Sequence, residues 1–206
     1  CVTVANRGLL SHNGANPKPK ERPMKKSLGP GTLAYPTPAW LIGSYDETGK
    51  PNLMTAAWAG ICCSKPPCVT VSLRKERHSY AAILLRRAFT VGIPGEELVA
   101  QADFAGMASG AKVDKFAMAG LTPVRSELVD APYAAEVPFV LECRLLQTLD
   151  LGVHTQFIGE VLDVKADAAI LNAEGQVDMA KLRPLVYAPG VSTYFGLGQP
   201  VAKAFS

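Results

Sequence analysis

The sequence predicts a single domain that is mainly β, with a few helices inserted between the strands. Short apolar runs rich in β-branched and aromatic residues recur at residues 39–45, 69–73 and 89–93, and runs of this length are typical of strands. Two longer apolar runs, residues 139–151 and 156–164, are joined near a glycine, as in a long antiparallel pair. A mixed β-barrel is the simplest architecture for such a chain.

The connections between these runs define the other elements. Residues 46–50, DETGK, form a turn rich in Asp and Gly before a further strand-like run at residues 52–60. This arrangement predicts a hairpin with residues 39–45. A short strand is expected at residues 184–187. The predicted helices cover residues 79–87, 96–108 and 112–118.

Length and composition limit the class of protein. At 206 residues, with no internal repeat and no clear linker after residue 30, the chain fits one domain. No run approaches the roughly 20 uncharged residues that a membrane span requires. The net charge is only +3, with one basic cluster besides the N-terminal arm, so a small anionic ligand suits the pattern better than nucleic acid. We expect no membrane and no nucleic-acid partner.

The first 23 residues differ from the rest of the chain. They contain one acidic residue and three prolines and show no amphipathic period. We expect a flexible extension or an artificial leader at residues 1–23. The folded domain is then expected at residues 24–206.

Five cysteines, an odd number, favour a reducing cytoplasm over a disulfide scaffold. Three of them, Cys62, Cys63 and Cys68, cluster in the sequence. Their spacing lacks the paired C-x2-C units of zinc sites, so no metal site is predicted. Buried strand cysteines are the preferred interpretation, and a redox-active pair between Cys63 and Cys68 is the alternative.

A basic turn follows the run at residues 69–73. Arg74, Lys75 and Arg77 lie together there, and Ser79 opens the next helix. A guanidinium can grip two phosphate oxygens, and a hydroxyl and the free N–H groups of a helix start favour an anion further. The turn therefore predicts a phosphate-binding corner. The alternative is a solvated basic turn with Ser79 as an ordinary N-cap.

Other catalytic motifs are missing from the sequence. It contains no P-loop, no G-x-S-x-G elbow and no H-E-x-x-H. The GLGQP near its end lacks the spacing and the following helix of a dinucleotide fingerprint. No other catalytic constellation therefore competes with the phosphate-binding corner.

Several separated blocks resemble one known family. They are NLMTAAWAGICCSKPPCVTVSLRKERHSYAAI, FTVGIP, GMASGAKVDKF, HTQFIGEV and PLVYAPGVSTYFGLG. In this order they resemble the flavin-reductase-like family with the FMN-binding split-barrel fold, and within it the flavoredoxins most, from about Leu33 to the C-terminus. The resemblance implies a homodimer of six- or seven-stranded barrels. Each would hold one non-covalent FMN, or alternatively FAD, near the dimer interface.

The resemblance also implies the residues that hold the flavin. Arg77 and Ser79 match the phosphate-binding turn, together with their neighbours Ser72, Leu73, Arg74 and Tyr80. The backbone of Thr55, Ala56, Ala57 and Trp58 matches the segment beside the isoalloxazine ring, although Trp58 is equally expected as a core aromatic. Ser109, Lys112 and Tyr194 match further contacts. A solvent-facing Lys112 and a packed Tyr194 are the alternatives.

His154 is the candidate catalytic residue. Related flavin reductases often read GDH where this chain reads LGVH, with the histidine near the flavin and nicotinamide site. The missing Asp puts the use of a nicotinamide in doubt, although Asp150 lies four residues earlier. A structural histidine is the alternative.

The resemblance leaves three functions open. The first is electron transfer of flavoredoxin type through FMN, with a redox protein as partner. The second is an NAD(P)H-dependent flavin reductase, in which a nicotinamide is the donor. The third is a split barrel that has lost its ligand. Whether the protein is a flavin-dependent oxidoreductase or an electron-transfer flavoprotein is therefore undecided by the sequence.

Overall fold

Twelve strands and four α-helices make up the part of the chain that the structure, a computed structural model, describes, residues 24–204. The strands are β1 (Thr37–Pro38), β2 (Trp40–Tyr45), β3 (Pro51–Ala56), β4 (Ala59–Ser64), β5 (Pro67–Arg74), β6 (Ala88–Ile93), β7 (Pro123–Arg125), β8 (Pro132–Ala134), β9 (Phe139–Asp150), β10 (His154–Ala166), β11 (Val186–Ala188) and β12 (Thr193–Phe195). The helices are α1 (His78–Arg86), α2 (Val99–Met107), α3 (Lys115–Ala119) and α4 (Met179–Leu182), with short 3-10 helices at Glu96–Leu98 and Ala168–Ile170.

Seven of the strands form one antiparallel sheet in the order β3-β2-β6-β9-β10-β5-β4. Its two edge strands, β3 and β4, follow one another in the chain and are separated only by Ala57 and Trp58. The Ser72 backbone nitrogen donates a hydrogen bond of 2.8 Å to the Trp58 carbonyl, so this corner also meets β5. The sheet thereby curls into a barrel, and the predicted fold class, a mainly β split barrel, is confirmed.

Two apolar clusters stabilise the fold. The first lies among the barrel strands and includes the fully buried Ile42, Phe89 and Phe157. The second packs β2 and β3 against the helical segment after β6, with Leu41, Phe116 and ten other buried residues. Burial of such side chains contributes about 1.5 to 3 kcal/mol each. Tyr187 and Tyr194 pack at the border of the second cluster and connect it to the site described below.

A smaller sheet, β1-β11-β12, brings the two ends of the folded unit together. β1 pairs with β11, and β11 pairs with β12, both antiparallel. The folded unit comprises the chain from Thr32 onward, and residues 24–31 are exposed and lack regular secondary structure. The extension predicted at residues 1–23 lies outside the described residues. Within residues 24–204, no helix is long and apolar enough to cross a membrane.

Two predicted elements differ from the structure. The single strand expected over residues 52–60 is wrong, because the chain bends at Ala57 and Trp58 to pass from β3 to β4. The helix expected at residues 112–118 begins only at Lys115, where Asp114 caps it by accepting a hydrogen bond of 3.1 Å from the Ala117 nitrogen. The long antiparallel pair predicted around Gly152 is confirmed as β9 and β10.

Candidate functional site

A cavity of about 460 Å³ opens beside the corner between β3 and β4. We call it the larger cavity, because a smaller one adjoins it. Apolar side chains from several elements line it, including Met54, Leu73 and Met107. Most of the predicted site residues also line it, namely Thr55, Ala56, Ala57, Trp58, Ser72, Leu73, Arg74, Arg77, His154 and Tyr194. Its size and apolar walls suit a planar ligand with several rings.

Trp58 and His154 form a pair at this cavity. Their rings are nearly parallel, with an interplanar angle of 7° and centroids 6.1 Å apart. His154 begins β10 directly opposite Arg74 of β5. Trp58 is 42% exposed, so it is not the core aromatic that the alternative interpretation expected. The pair offers an imidazole and an indole to a ligand in the larger cavity.

Asp150, the last residue of the preceding strand β9, bonds to Lys75 and Gly152 and not to His154. Its carboxylate accepts hydrogen bonds from Lys75 Nζ at 2.5 Å and from the Gly152 nitrogen at 2.9 Å. These contacts, the Lys75 bond first, lower the pKa of Asp150. Asp150 therefore closes the β9–β10 turn.

Close packing of α2 on β3 fixes the wall of the larger cavity. Thr55 Oγ1 donates a hydrogen bond to the Ala102 carbonyl. A Cβ atom added at Gly106 would lie 3.3 Å from Thr55 Cβ, so α2 is already at close contact there. Together with the bond from Ser72 to Trp58, this contact holds the 55–58 segment in one position.

Tyr194 joins the C-terminal hairpin to α2. Its hydroxyl donates a hydrogen bond of 3.2 Å to Asp103 Oδ1, and its ring centroid lies 5.1 Å from that of Tyr187. Burial, followed by the charge of Asp103, raises the pKa of Tyr194 to about 12, so the phenol stays protonated. Tyr187 and Asp103 line the larger cavity as well, and the sequence alone does not predict either residue.

A second cavity, of about 330 Å³, adjoins the first and shares Met54 and Arg77 with it. Its lining is more polar and includes Asn52, Glu76, Arg77, His78, Ser79, Ser109, Gly110 and Lys115. Arg77 is the N-cap residue of α1, and Ser79 is the second residue of that helix. The alternative interpretation of Ser79 as the N-cap is therefore wrong. The free N–H groups at the start of α1 favour an anion at this place.

Lys115 supplies a buried cation to the smaller cavity. It is only 5% exposed, and its Nζ donates a hydrogen bond of 2.7 Å to the Ala105 carbonyl. Burial, and secondly the charge of Arg77, lowers the pKa of Lys115 to about 8. A carbonyl is a neutral partner, so this contact leaves the charge uncompensated. An anion in the cavity would compensate it.

Asn52 presents a buried acceptor to the same cavity. Its Nδ2 donates a hydrogen bond of 2.8 Å to Ser79 Oγ, whereas its buried Oδ1 has no partner. A side chain at Gly110 would collide with that oxygen, so the loop approaches Asn52 closely because residue 110 is a glycine. An unpaired buried acceptor costs about 1 to 3 kcal/mol. A ligand hydroxyl would satisfy it.

Two predicted site residues lie outside both cavities. Tyr80 shares a hydrogen bond of 3.1 Å with Thr155 Oγ1, and its ring packs edge-on against Phe157, so it belongs to the barrel packing. Lys112 is exposed and precedes α3. The cavity receives Lys115 instead, and Ser109 lies beside it. Across the described residues, no three His, Cys, Asp or Glu side chains converge as a metal site.

Comparison with known proteins gives the family and the fold. The family model described as the flavin reductase like domain matches residues 32–196. The solved structure of flavoredoxin from Desulfovibrio vulgaris (Miyazaki F) is 52% identical, covers 89% of this chain and 98% of its own, and gives a TM-score of 0.85. Flavoredoxin from Methanosarcina acetivorans is 28% identical over 89% of this chain and 96% of its own, with a TM-score of 0.83.

The chain is also similar to the reductase component of a monooxygenase. The reductase component of 4-nitrophenol 4-monooxygenase/4-nitrocatechol 2-monooxygenase from Rhodococcus opacus is 32% identical over 57% of this chain and 60% of its own length. The chain belongs to the flavin reductase-like family. It is a flavin-binding redox protein by fold and family, and the resemblance to flavoredoxins found in the sequence is confirmed.

Proposed function

We propose that the two adjoining cavities bind one FMN, with the isoalloxazine ring in the larger cavity and the phosphate in the smaller one. The observation that carries this proposal is the division of polarity between them. Apolar and aromatic side chains make up most of the exposed surface in the larger cavity, although Arg74, Arg77 and Asp103 also line it. The smaller one combines Arg77, Lys115 and the start of α1 with the unpaired Oδ1 of Asn52. A phosphate and a polyol chain need such groups.

The residues of the smaller cavity bind different parts of FMN. Arg77 and Lys115 offset the charge of the phosphate, while Asn52 holds the Ser79 hydroxyl in place through their hydrogen bond. Asn52 Oδ1 accepts from a polyol hydroxyl. Glu76 also lines this cavity, and its carboxylate is engaged by Arg74 Nε at 2.7 Å. The positive charge of the cavity is therefore preserved for the ligand.

Bound FMN supplies the redox chemistry, because it accepts and releases electrons without a protein acid or base. The chain would orient the ring through the 55–58 segment and shield it with Tyr187 and Tyr194. We therefore favour an electron carrier of flavoredoxin type that exchanges electrons with a redox protein. The likeness to the two flavoredoxins supports this choice.

An NAD(P)H-dependent flavin reductase, supplying reduced FMN or FAD, is the second candidate. It is favoured by the likeness to a monooxygenase reductase component. It is also favoured by the exposed Trp58 beside His154, because such a pair can receive a second planar ring. Asp150 is bonded to Lys75 and does not serve His154 as a carboxylate partner. This argues against a catalytic role for His154.

Anaerobic reduction distinguishes the two candidates. Flavin-loaded protein is mixed with NADH or NADPH, and the flavin absorbance is followed. A persistent yellow colour that only dithionite or a reduced redox protein removes would support the electron carrier. Rapid bleaching by either nicotinamide would favour the reductase. A protein that retains no flavin and ignores added FMN would contradict both.

A homodimer in the cytoplasm is part of the proposal. Exposed apolar side chains on β9 and β10, among them Leu149 at 47% and Val164 at 49% exposure, support a dimer because a second copy would bury them. The cysteines among residues 24–204 are all unpaired, which supports a reducing compartment. Light scattering of the purified protein tests the dimer directly.

A further inference from the structure

Three thiols meet at the turn end of the β4–β5 hairpin. Cys63 lies directly opposite Cys68 in the antiparallel ladder, and the register shifts by one residue between Ile61 and Cys63. Such a shift sets two residues of one strand against one residue of the other, so Cys62 and Cys63 both adjoin Cys68. None of these cysteines lines either of the two cavities. The cluster is thus separate from the proposed flavin site.

The three thiols differ in their access to solvent. Cys62 and Cys63 are exposed, whereas Cys68 is buried. β4 is an edge strand of the main sheet. A reagent can therefore reach Cys62 and Cys63 before it reaches Cys68. Burial, and then the neighbouring thiols, raise the pKa of Cys68, so the exposed Cys63 rather than Cys68 makes the first attack.

The spacing of Cys63 and Cys68 suits a covalent bond. Directly opposed residues in an antiparallel pair have Cα atoms about 4.5 to 5.5 Å apart, and a disulfide requires about 4.4 to 6.8 Å. Both Cys62 and Cys63 are close enough to Cys68 to raise the pKa of its thiol. The Cys63 thiol donates a hydrogen bond of 3.4 Å to the Lys65 carbonyl, which orients the exposed sulfur.

We propose that Cys63 and Cys68 are a dithiol–disulfide redox pair that exchanges with a low-molecular-weight disulfide. Cys63 loses its proton to water and attacks one sulfur of the incoming disulfide as the thiolate. A bond forms between Cys63 Sγ and that sulfur, the S–S bond of the incoming disulfide breaks, and the released thiolate takes up a proton from water. Cys68 then attacks Cys63 Sγ, and the second thiolate leaves and takes up the Cys68 proton. Two protein thiols are oxidised, and the incoming disulfide is reduced to two thiols. Cys62 takes no part in the bond.

Redox titration with mass spectrometry tests this proposal. The full-length protein is equilibrated with mixtures of reduced and oxidised glutathione, quenched in acid, alkylated and digested with trypsin. Residues 27–74 remain one peptide because Lys50 and Lys65 each precede a proline, which resists cleavage. We expect the oxidised peptide to carry one alkyl group instead of three, and to weigh two hydrogen atoms less than a reduced peptide with one alkyl group. Its fragments should show Cys63 bonded to Cys68 and an alkylated Cys62.

Three variants complete the test. The matched control Cys62→Ser should form the same disulfide at the same glutathione ratio. Cys63→Ser and Cys68→Ala should not form it, and glutathione should remain attached to Cys63 in the second variant. Flavin content should be unchanged in all three, so the result is independent of the flavin proposal. A Cys62–Cys63 bond, a native Cys63 that resists alkylation, or glutathione adducts without any internal disulfide would each overturn the proposal.

Discussion

The side-chain nitrogen of Asn52 donates a hydrogen bond of 2.8 Å to the Ser79 hydroxyl, and this bond ties β3 to the first turn of α1. Both residues are buried, at 4% and 1% exposure. The bond leaves Asn52 Oδ1 as an unpaired acceptor in the smaller cavity. This bond therefore connects a barrel strand to the proposed phosphate-binding turn.

Replacing Ser79 with Ala should weaken both the fold and the site. The buried amide of Asn52 would lose its acceptor, so the free energy of unfolding should fall by about 1 to 3 kcal/mol. FMN affinity should fall as well. Chemical denaturation and FMN titration measure the two effects. Ser109→Ala is the control, since Ser109 is exposed, and its unfolding should be unchanged. A Ser79→Ala variant as stable as the parent would contradict the importance of this bond.

Replacing Arg77 with Ala should weaken FMN binding by about 2 kcal/mol, the scale of a lost charge-assisted contact. This corresponds to a dissociation constant about thirtyfold higher. Fluorescence titration of the flavin-free protein measures it. The matched control is Lys75→Ala, because Lys75 belongs to the same basic turn and pairs with Asp150 but lines neither cavity. Equal FMN affinity in the two variants would show that Arg77 does not bind the phosphate.

The basic turn could be predicted from the sequence because its residues are contiguous. Arg74, Arg77 and Ser79 lie within six positions of the chain, and the preceding β-branched run places them at a strand end. The long β9–β10 pair was predictable for the same reason. Apolar periodicity and a glycine turn are local signals.

The rest of the site depends on contacts that no local pattern records. Asn52 and Ser79 are 27 positions apart, and a polar residue inside a strand gives no sign of its partner. Trp58 favours continued strand, yet the closure of the barrel bends the chain there, because tertiary packing overrides local propensity. Lys115 could have been found, since Asp114 is a typical N-cap that places the helix start three residues beyond Lys112.

FMN affinity should depend on pH through Lys115. Its pKa of about 8 is lowered mainly by burial, and a bound phosphate would raise it by stabilising the charged form. The ammonium is present below this pKa and is lost above it, so affinity should fall as the pH rises above about 8, by at most about tenfold per pH unit and only up to the raised pKa of the bound state. Lys115→Arg should remain charged and abolish the fall. Lys115→Met should bind weakly at every pH. A parent protein whose affinity is constant from about pH 7 to about pH 9 would refute this role.

Replacing His154 with Ala should leave FMN bound but change the rate of flavin reduction. The variant removes a ring that lines the larger cavity beside Trp58, whereas the groups proposed for the phosphate stay intact. His154→Phe keeps an aromatic ring without a titratable nitrogen, so it separates ring packing from proton chemistry. Stopped-flow reduction by dithionite and by NADPH measures the effect. Loss of soluble protein in both variants would indicate a purely structural histidine.

Comparing FMN with riboflavin tests the central claim most directly, because the two ligands share the ring and differ in the phosphate. Flavin-free protein is titrated with each, and the quenching of flavin fluorescence is recorded. We predict that FMN binds at least about a hundredfold more tightly, on the scale of two charge-assisted contacts. Equal affinities, or no binding of either flavin, would contradict the assignment of the smaller cavity to a phosphate.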